Sequence, residues 1–219
     1  MKQTILNNAY IIRTRLMTHN GSIQTTHNNW VIPGQLMCGP FPGLDGINYP
    51  DEISTVNNLN GIMADGINTF ICLQEEISVQ DGTPGTLQES LRWAFPKFCN
   101  YSYFLQNATN IEYRHFPMKD QTTPNSTDFL LYINYILELL MRGRKVFIHC
   151  AGGHGRTGVY VAVLLALIYN ITVEDALLRT QMYHNSRIEN DKRQTHHVLS
   201  PSTREQKAFV RQMCEYFYN

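Results

Sequence analysis

The chain of 219 residues is long enough to form one domain with a sizeable hydrophobic core. The charges of its 18 basic and 18 acidic side chains cancel, which argues against nucleic acid or an anionic membrane as a partner. Any anionic ligand must therefore be held by a local site. The chain has five cysteines, and no two of them have C-x-x-C spacing. This odd number without a pair argues against a disulfide framework and predicts a reducing, cytoplasmic location.

Residues 1–29 are polar, rich in Asn and Thr, and contain only a weak hairpin signal at Asn20–Gly21. We therefore predict that they form an N-terminal extension to a single domain over residues 30–219. The longest apolar run, Val159–Tyr169, is about half as long as a membrane-spanning helix, so it predicts a buried core helix and no membrane insertion.

Strands and helices alternate along the domain, as turn residues, helix caps and hydrophobic periodicity indicate. In chain order, the predicted elements are a strand over Trp30–Gly39 interrupted at Pro33–Gly34, a helix capped by Asp51 that runs to about Ala64, a strand over Ile67–Gln74, a helix over Thr83–Phe98, a strand over Ile111–Met118, a helix capped by Ser126 that runs to Met141, a strand over Lys145–His149, a helix over Val159–Tyr169, a helix that starts at Thr172, and a last helix after Ser202. The pattern predicts an α/β fold, with a central, mostly parallel, twisted sheet of four to five strands flanked by helices.

The segment FIHCAGGHGRTG, residues 147–158, places a cysteine between a predicted strand and a glycine-rich turn that opens a helix. Backbone N–H groups converge in such a turn, and the helix N-terminus adds a positive dipole end, so the segment predicts an anion site. The nucleotide-binding loop G-x-x-x-x-G-K-[ST] does not fit, because Arg156 stands where its lysine belongs and Cys150 where its first glycine belongs.

Cys150 can lie at the bottom of a loop that curls around one tetrahedral oxyanion. The guanidinium of Arg156 can bind two phosphate oxygens at once, and the loop amides favour the thiolate form of the cysteine. Thr157 can donate its hydroxyl to the sulfur. A metal site at His149, Cys150 and His154 is disfavoured, since adjacent residues of a strand face opposite sides. The backbone groups predicted to bind the anion belong to Ala151, Gly152, Gly153, His154, Gly155 and Arg156.

The segment HCAGGHGRTG resembles the H-C-x-x-G-x-x-R-[ST]-G signature of cysteine-dependent protein tyrosine and dual-specificity phosphatases. The resemblance extends over roughly residues 30–217 and implies a compact protein tyrosine phosphatase-like fold. It also implies a phosphocysteine intermediate, no metal or organic cofactor, and a supporting hydrogen-bond role for the histidine. The defined positions of the signature are filled by His149, Cys150, Gly153, Arg156, Thr157 and Gly158.

The resemblance implies a general acid some thirty residues before the nucleophile, often in a P-x-x-D setting. Asp120 follows Pro117 by three positions in HFPMKDQTTP and is the preferred candidate. Asp128 is the rival, but an acidic residue in the first turn of a helix is explained by the helix dipole. Asp120 would then accept a proton from the water that hydrolyses the phosphocysteine. Two interpretations are open for Gln206 in the distal segment. It holds that water, or it is an ordinary polar residue in the first turns of its helix.

Further candidates surround this loop in the predicted sheet. Some relatives carry a second cysteine near the position of Cys72 that forms a reversible disulfide with the nucleophile, and a buried core thiol is the alternative. Glu75 or Glu76 can orient Arg156 through a salt bridge, and a solvated loop is the equal alternative for both. His154, at a variable position of the signature, either contacts substrate or is solvated.

The absence of lysine and arginine from loop residues 151–155 indicates the substrate class. Phosphoinositide phosphatases of this superfamily tend to carry lysines inside the loop, whereas residues 151–155 add no fixed positive charge here. We therefore expect phosphoprotein substrates, phosphotyrosine first and phosphoserine or phosphothreonine in addition. RNA substrates do not fit a near-neutral chain. The alternatives are a phosphoinositide phosphatase and a catalytically silent phosphate-binding module, although such modules usually lose the cysteine, the arginine or the acid.

Overall fold

A computed structural model of the chain describes residues 1–16, 27–43, 51–77, 98, 100–106, 108–187 and 198–219. Apart from Phe98, the predicted helix over Thr83–Phe98 lies outside the described residues, as does the hairpin signal at Asn20–Gly21. The described elements are α1 (Lys2–Leu16), β1 (Asn29–Ile32), β2 (Leu36–Gly39), α2 (Glu52–Ala64), β3 (Thr69–Gln74), α3 (Ser102–Leu105), β4 (Glu112–Met118), α4 (Ser126–Met141), β5 (Val146–His149), α5 (Gly155–Tyr169), α6 (Val173–Asn185) and α7 (Arg204–Tyr218).

The strands form one sheet in the order β1-β2-β5-β3-β4. β1 and β2 are an antiparallel pair, because the chain turns at residues 33–35, where Gly34 adopts a φ of +70°. The pairs β2–β5, β5–β3 and β3–β4 are parallel. The predicted mostly parallel α/β sheet is confirmed. β5 is its central strand, so the residues that follow His149 emerge at the middle of one sheet edge.

Helices cover both faces of this sheet. α1, α4, α5, α6 and α7 pack on one face, and α2 and α3 pack on the other. Successive residues of β5 alternate between the two cores, since Phe147 belongs to the α2 side and Ile148 to the α5 side. Every residue of α5 except Tyr169 is buried, which agrees with a central core helix. Among the described helices, none has the length and apolar character to cross a membrane.

The N-terminal segment contains α1, which the sequence pattern did not predict. Ile5, Ala9, Ile12 and Leu16 form one helical face and are buried in the core beside α4 and α5. Arg13 donates hydrogen bonds to the carbonyls of residues 167 and 168 at the end of α5, both at 2.8 Å. A cation at a helix C-terminus is favourable because it satisfies unpaired carbonyls and complements the helix dipole.

Most helix boundaries follow the predicted caps, with two differences. Asp51 caps α2, and Thr172 caps α6, as predicted. The cap of α4 is Asn125 and not Ser126: the Asn125 Oδ1 atom accepts from the N–H of Thr127 at 2.8 Å, and Ser126 is the first helical residue. α5 begins at Gly155, before the predicted Val159, because the polar end of the signature is itself helical.

Candidate active site

The loop at residues 150–154 joins the end of β5 to the start of α5. The N–H groups in the first turn of α5 have no intrahelical acceptor, so they and the loop amides can bind an anion together. Cys150 lies at the start of this loop and is buried. The Ala151 carbonyl accepts a hydrogen bond from the N–H of Phe41 at 2.9 Å, which fastens the loop to the segment after β2.

Two glycines are required where the loop passes its neighbours. Gly153 has a φ of +69°, and a Cβ atom there would lie 2.1 Å from the carbonyl oxygen of Gly39. A Cβ atom on Gly155 would lie 2.7 Å from the Ser202 hydroxyl. The loop is therefore held between the end of β2 and the segment before α7, and a side chain at residue 153 would both strain and displace it.

Arg156 is buried beneath this loop, with 1% of its side chain exposed. Its guanidinium forms a two-point ion pair with Glu76, whose Oε1 atom lies 2.9 Å from Nη2, and Nη1 donates to the Met118 carbonyl at 3.0 Å. Burial acts to lower the pKa of Arg156, but Cys150, Glu76 and Asp120 outweigh it and raise the pKa above its usual value. Glu76 is thus the acidic residue of the pair 75–76 that contacts the arginine.

Asp120 lies on the turn that follows β4, and its Oδ1 atom is 3.1 Å from Nη2 of Arg156. More than half of the Asp120 side chain is exposed, so it can exchange protons with solvent. Asp128 lies in the first turn of α4, where its N–H group contacts the Asn125 side chain. The structure places Asp128 at a helix start, as predicted, and brings Asp120 to Arg156, a contact that the sequence argument did not include. The role of Asp120 as general acid stays a prediction.

His149 is fully buried, and burial lowers its pKa to about 3, so the ring is neutral near pH 7. Nε2 lies 2.6 Å from the Tyr101 hydroxyl, and Nδ1 lies 3.4 Å from the Cys150 carbonyl oxygen. A neutral imidazole has one donor and one acceptor, and we assign the acceptor to Nε2, since the tyrosine hydroxyl can donate to it and the carbonyl can only accept. Tyr101 thereby fixes the histidine, a contact that no sequence signal marks.

Thr157 and His154 have surroundings that the sequence did not resolve. The Thr157 hydroxyl is buried and has no hydrogen-bond partner within the described parts of the chain, so its predicted donation to sulfur stays a prediction. The His154 ring packs edge-on against His184, with 5.7 Å between ring centres. Its carbonyl accepts from the Ser200 hydroxyl at 3.0 Å. His154 therefore has protein neighbours on the α6 side of the loop.

Gln206 is fully buried at the start of α7. Its Oε1 atom accepts from the N–H groups of Ser202 and Thr203, at 3.0 and 3.3 Å, which completes the N-terminal capping box of the helix. Its Nε2 atom donates to the Thr122 carbonyl at 3.0 Å. The side chain thus ties α7 to the turn that carries Asp120, and its predicted role in holding the water stays a prediction.

Cys72 and Cys150 belong to different cores. Cys72 packs with Phe70 and Phe147 on the α2 side, and burial raises its pKa to about 12, so it is a protonated thiol. Cys150 belongs to the core on the α5 side, together with Cys38 of β2. A disulfide between residues 72 and 150 stays a prediction. In the described ranges, no group of three or more His, Cys, Asp or Glu side chains is arranged to hold a metal ion.

Comparisons with known proteins show the family to which the chain belongs and the proteins whose fold it shares. Residues 25–210 match the family described as Swiss Army Knife protein, DSP-PTPase phosphatase domain. The chain is 34% identical over 102 residues to "Putative tyrosine phosphatase 067L" of Invertebrate iridescent virus 3, an alignment that covers 44% of this chain and 41% of that protein. The chain therefore spans less than half the length of this viral relative.

Solved structures with 19% identity or less share the fold. Tk-PTP in its active form superposes with a TM-score of 0.56 at 19% identity, over 85% of this chain and 95% of that one. PTPMT1 in complex with PI(5)P superposes with a TM-score of 0.54 at 14% identity, over 87% of this chain and 96% of that one.

Proposed function

Because the chain belongs to the DSP-PTPase phosphatase domain family, we propose that it hydrolyses phosphate monoesters on proteins, phosphotyrosine above all and phosphoserine or phosphothreonine in addition. The observation that carries the proposal is one cluster: Cys150 at the start of the anion-binding loop, Arg156 beneath the loop, and Asp120 paired with that arginine. The four described cysteines are unbridged, which is compatible with a cytoplasmic enzyme.

The first step transfers the phosphoryl group to the protein. The loop amides and Arg156 hold the three non-bridging oxygens, and the Cys150 thiolate attacks phosphorus opposite the leaving oxygen. An S–P bond forms while the P–O bond to the substrate breaks. Asp120, protonated, gives its proton to the departing oxygen, so a phenol or an alcohol leaves instead of an anion.

The second step regenerates the enzyme. Asp120, now a carboxylate, takes a proton from a water as that water attacks the phosphocysteine. The S–P bond breaks, inorganic phosphate leaves, and the sulfur departs as a thiolate that the loop amides and the Thr157 hydroxyl can stabilise. Gln206 positions the turn of Asp120 through Thr122 and has one N–H available to orient the water.

Phosphoinositide hydrolysis is the second candidate, favoured by the fold shared with PTPMT1, whose structure contains PI(5)P. At 14% identity, this likeness is one of fold alone. The headgroup of an inositol lipid carries several phosphates, and the loop residues 151–155 offer no lysine or arginine to bind the additional ones. Phosphoprotein substrates therefore fit the loop better.

Turnover of three substrates tests the proposal: a phosphotyrosine peptide, a phosphothreonine peptide, and vesicles that contain a phosphoinositide. We expect the highest kcat/KM for the phosphotyrosine peptide. Acid quenching of the wild-type enzyme with ³²P-labelled peptide should trap label on Cys150. If the wild-type chain binds the peptide but releases no phosphate from any of the three, it is a silent phosphate-binding module.

Cys150→Ser should abolish turnover and labelling while the protein still binds phosphopeptide, because the loop amides and Arg156 are unchanged. Cys214→Ser is the matched control, since Cys214 is an equally buried thiol in α7, outside the loop. The control should keep both turnover and label. Turnover or labelling that persists in the Cys150→Ser variant would contradict the assigned nucleophile, whereas loss of phosphopeptide binding in both variants would point to unfolding.

A further inference from the structure

Arg187 follows the end of α6 and is buried, with 8% of its surface exposed. It is not part of the phosphatase signature, yet its guanidinium reaches the back of the loop at residues 150–154. Nη2 donates to the Gly153 carbonyl at 2.9 Å, and Nη1 approaches the Gly152 carbonyl at 3.4 Å. The planar fork therefore spans two successive peptide groups on the side of the loop opposite the anion-binding amides.

The orientation of Arg187 is itself fixed. Its Nε donates to Asn29 Oδ1 at 2.8 Å, and its Nη2 lies 3.6 Å from the Cys38 sulfur. Cys38 in turn donates to the same Asn29 oxygen at 3.5 Å. Both partners belong to the β1–β2 hairpin, so this cluster joins α6, the hairpin and the loop. A buried cation with this many directed hydrogen bonds has one accessible orientation.

The direction of a peptide carbonyl determines the direction of the next N–H. Because the peptide unit is planar and trans, its C=O and N–H bonds point to opposite sides. With the Gly152 and Gly153 carbonyls drawn toward Arg187, the N–H groups of Gly153 and His154 must point the other way, into the loop. Gly153 is also the residue with a positive φ, so without this anchor its flanking peptides could rotate more freely than those of other residues.

We propose that Arg187 is a positioning residue for the reaction: it holds two loop carbonyls outward so that the following amides face the transferred phosphoryl group. This inference rests on the proposed function. A flipped peptide would replace an inward N–H donor with a carbonyl oxygen that repels phosphate. Hydrogen bonds to charged groups contribute about tenfold or more to affinity, so the loss should be measurable in anion binding as well as in turnover.

Anion binding provides a test that does not depend on turnover. Inorganic phosphate is titrated into wild type, Arg187→Met and Arg187→Lys by calorimetry. The rates of Cys150 alkylation by the anionic reagent iodoacetate and the neutral reagent iodoacetamide are then compared at one pH. We expect Arg187→Met to weaken phosphate binding about tenfold and to lower the iodoacetate-to-iodoacetamide rate ratio by a similar factor. Arg187→Lys should fall between, since an ammonium cannot span both carbonyls.

The rate ratio separates positioning from general damage, because loosening of the fold would raise both alkylation rates together. Arg179→Met is the matched control: Arg179 lies on α6, the helix that precedes Arg187, and its guanidinium lies over the Tyr169 ring, away from the loop. It should leave the ratio and phosphate affinity unchanged. If the methionine variant does not fold, the lysine variant, which keeps the charge, provides the measurement.

A folded Arg187 variant with wild-type phosphate affinity and rate ratio overturns the inference. A wild-type chain that binds phosphate and reacts with iodoacetate but turns over no substrate overturns the proposed function instead. In that case the phosphate affinity and the rate ratio of the Arg187 variants still decide whether Arg187 shapes the anion site.

Discussion

Asp120 and Arg156 are paired through Oδ1 and Nη2 at 3.1 Å, so the proposed acid and the proposed phosphate-binding group are in contact before substrate arrives. Glu76 occupies both terminal nitrogens of the same guanidinium. A bound phosphate must share Arg156 with these two carboxylates. The contact therefore places the proposed acid beside the group that would hold the phosphoryl group.

Asp120→Asn should lower kcat for a phosphotyrosine peptide by about 10²-fold or more, because the amide cannot protonate the leaving oxygen. Phosphate affinity should stay the same or increase, since one carboxylate beside Arg156 has been neutralised. Steady-state kinetics with phosphate as competitive inhibitor measures both quantities. Asp128→Asn is the control and should keep the wild-type kcat. A larger loss in the Asp128 variant would reverse the assignment of the acid.

Glu76→Gln should lower kcat/KM about tenfold, because a hydrogen bond between charged groups that orients Arg156 is replaced by a weaker one. The free energy of unfolding should fall by about 1–3 kcal/mol, as measured by urea denaturation. Glu75→Gln removes an equal charge from the neighbouring, exposed position and should change neither value appreciably. Equal effects of the two substitutions would indicate a general charge effect at this end of β3.

Gly153→Ala should abolish most turnover and lower the unfolding free energy by more than Gly34→Ala. Both glycines have φ near +70°, so alanine is strained at either by about 1–2 kcal/mol. The added Cβ at residue 153 would lie 2.1 Å from the Gly39 carbonyl oxygen, whereas a Cβ at residue 34 would have no described atom within 4 Å apart from its own chain neighbours. The difference between the two variants isolates the contact from the strain. Equal stabilities would mean that the loop can move away from β2 without penalty.

Acidification should destabilise the fold through two buried histidines. Burial is the first cause that lowers the pKa values of His149 and His184 to about 3, and the positive charges of Arg187 and His154 add to it for His184. The unfolded-state pKa is about 6.5, so between pH 6.5 and 3 the unfolded chain binds more protons, and the free energy of unfolding falls as the pH falls.

At pH 5, each of these histidines should reduce the free energy of unfolding by about 2 kcal/mol relative to its value well above pH 6.5. Urea denaturation at pH 8, 6 and 5 measures this loss. His184→Gln removes one of the two groups and should flatten the dependence over the same range. A wild-type chain that keeps its stability from pH 6.5 to 5 would show that both rings can be protonated in the folded state.

The part of the site that could be predicted from the sequence is the part that is local in the chain. Residues 149–158 carry their own geometry, because the strand end, the glycines and the helix start are consecutive. Asp120 is the predicted acid because its distance from Cys150 along the chain follows a family spacing, and the structure adds its contact with Arg156. The predicted cap of α4, Ser126, was wrong by one residue, because Asn125 beside it is an equally good capping residue and caps the helix instead.

Contacts between segments that are distant along the chain could not be predicted, because no local sequence pattern marks them. Tyr101 is 48 positions from His149, and Arg187 is 34 positions from Gly153. A tyrosine that will fix a histidine has the same local pattern as any core tyrosine, and an arginine after a helix end is usually explained by the helix dipole. The helix α1 was missed because asparagine and threonine dilute its apolar face.

The two ends of α5 carry opposite partial charges, positive at the N-terminus and negative at the C-terminus. Two segments that are far apart in the chain lie at these ends. The N-terminal end of α5 follows the loop at residues 150–154, which is proposed to bind an anion, and its C-terminal carbonyls accept the hydrogen bonds of Arg13 from α1. The family match begins at residue 25, so a chain trimmed to that match would lose α1. It would uncover apolar surface on α4 and α5 and remove the cation from the far end of the active-site helix. The opening residues thus hold the C-terminal end of α5 in place, and a chain shortened to begin at residue 25 would be less stable at this helix.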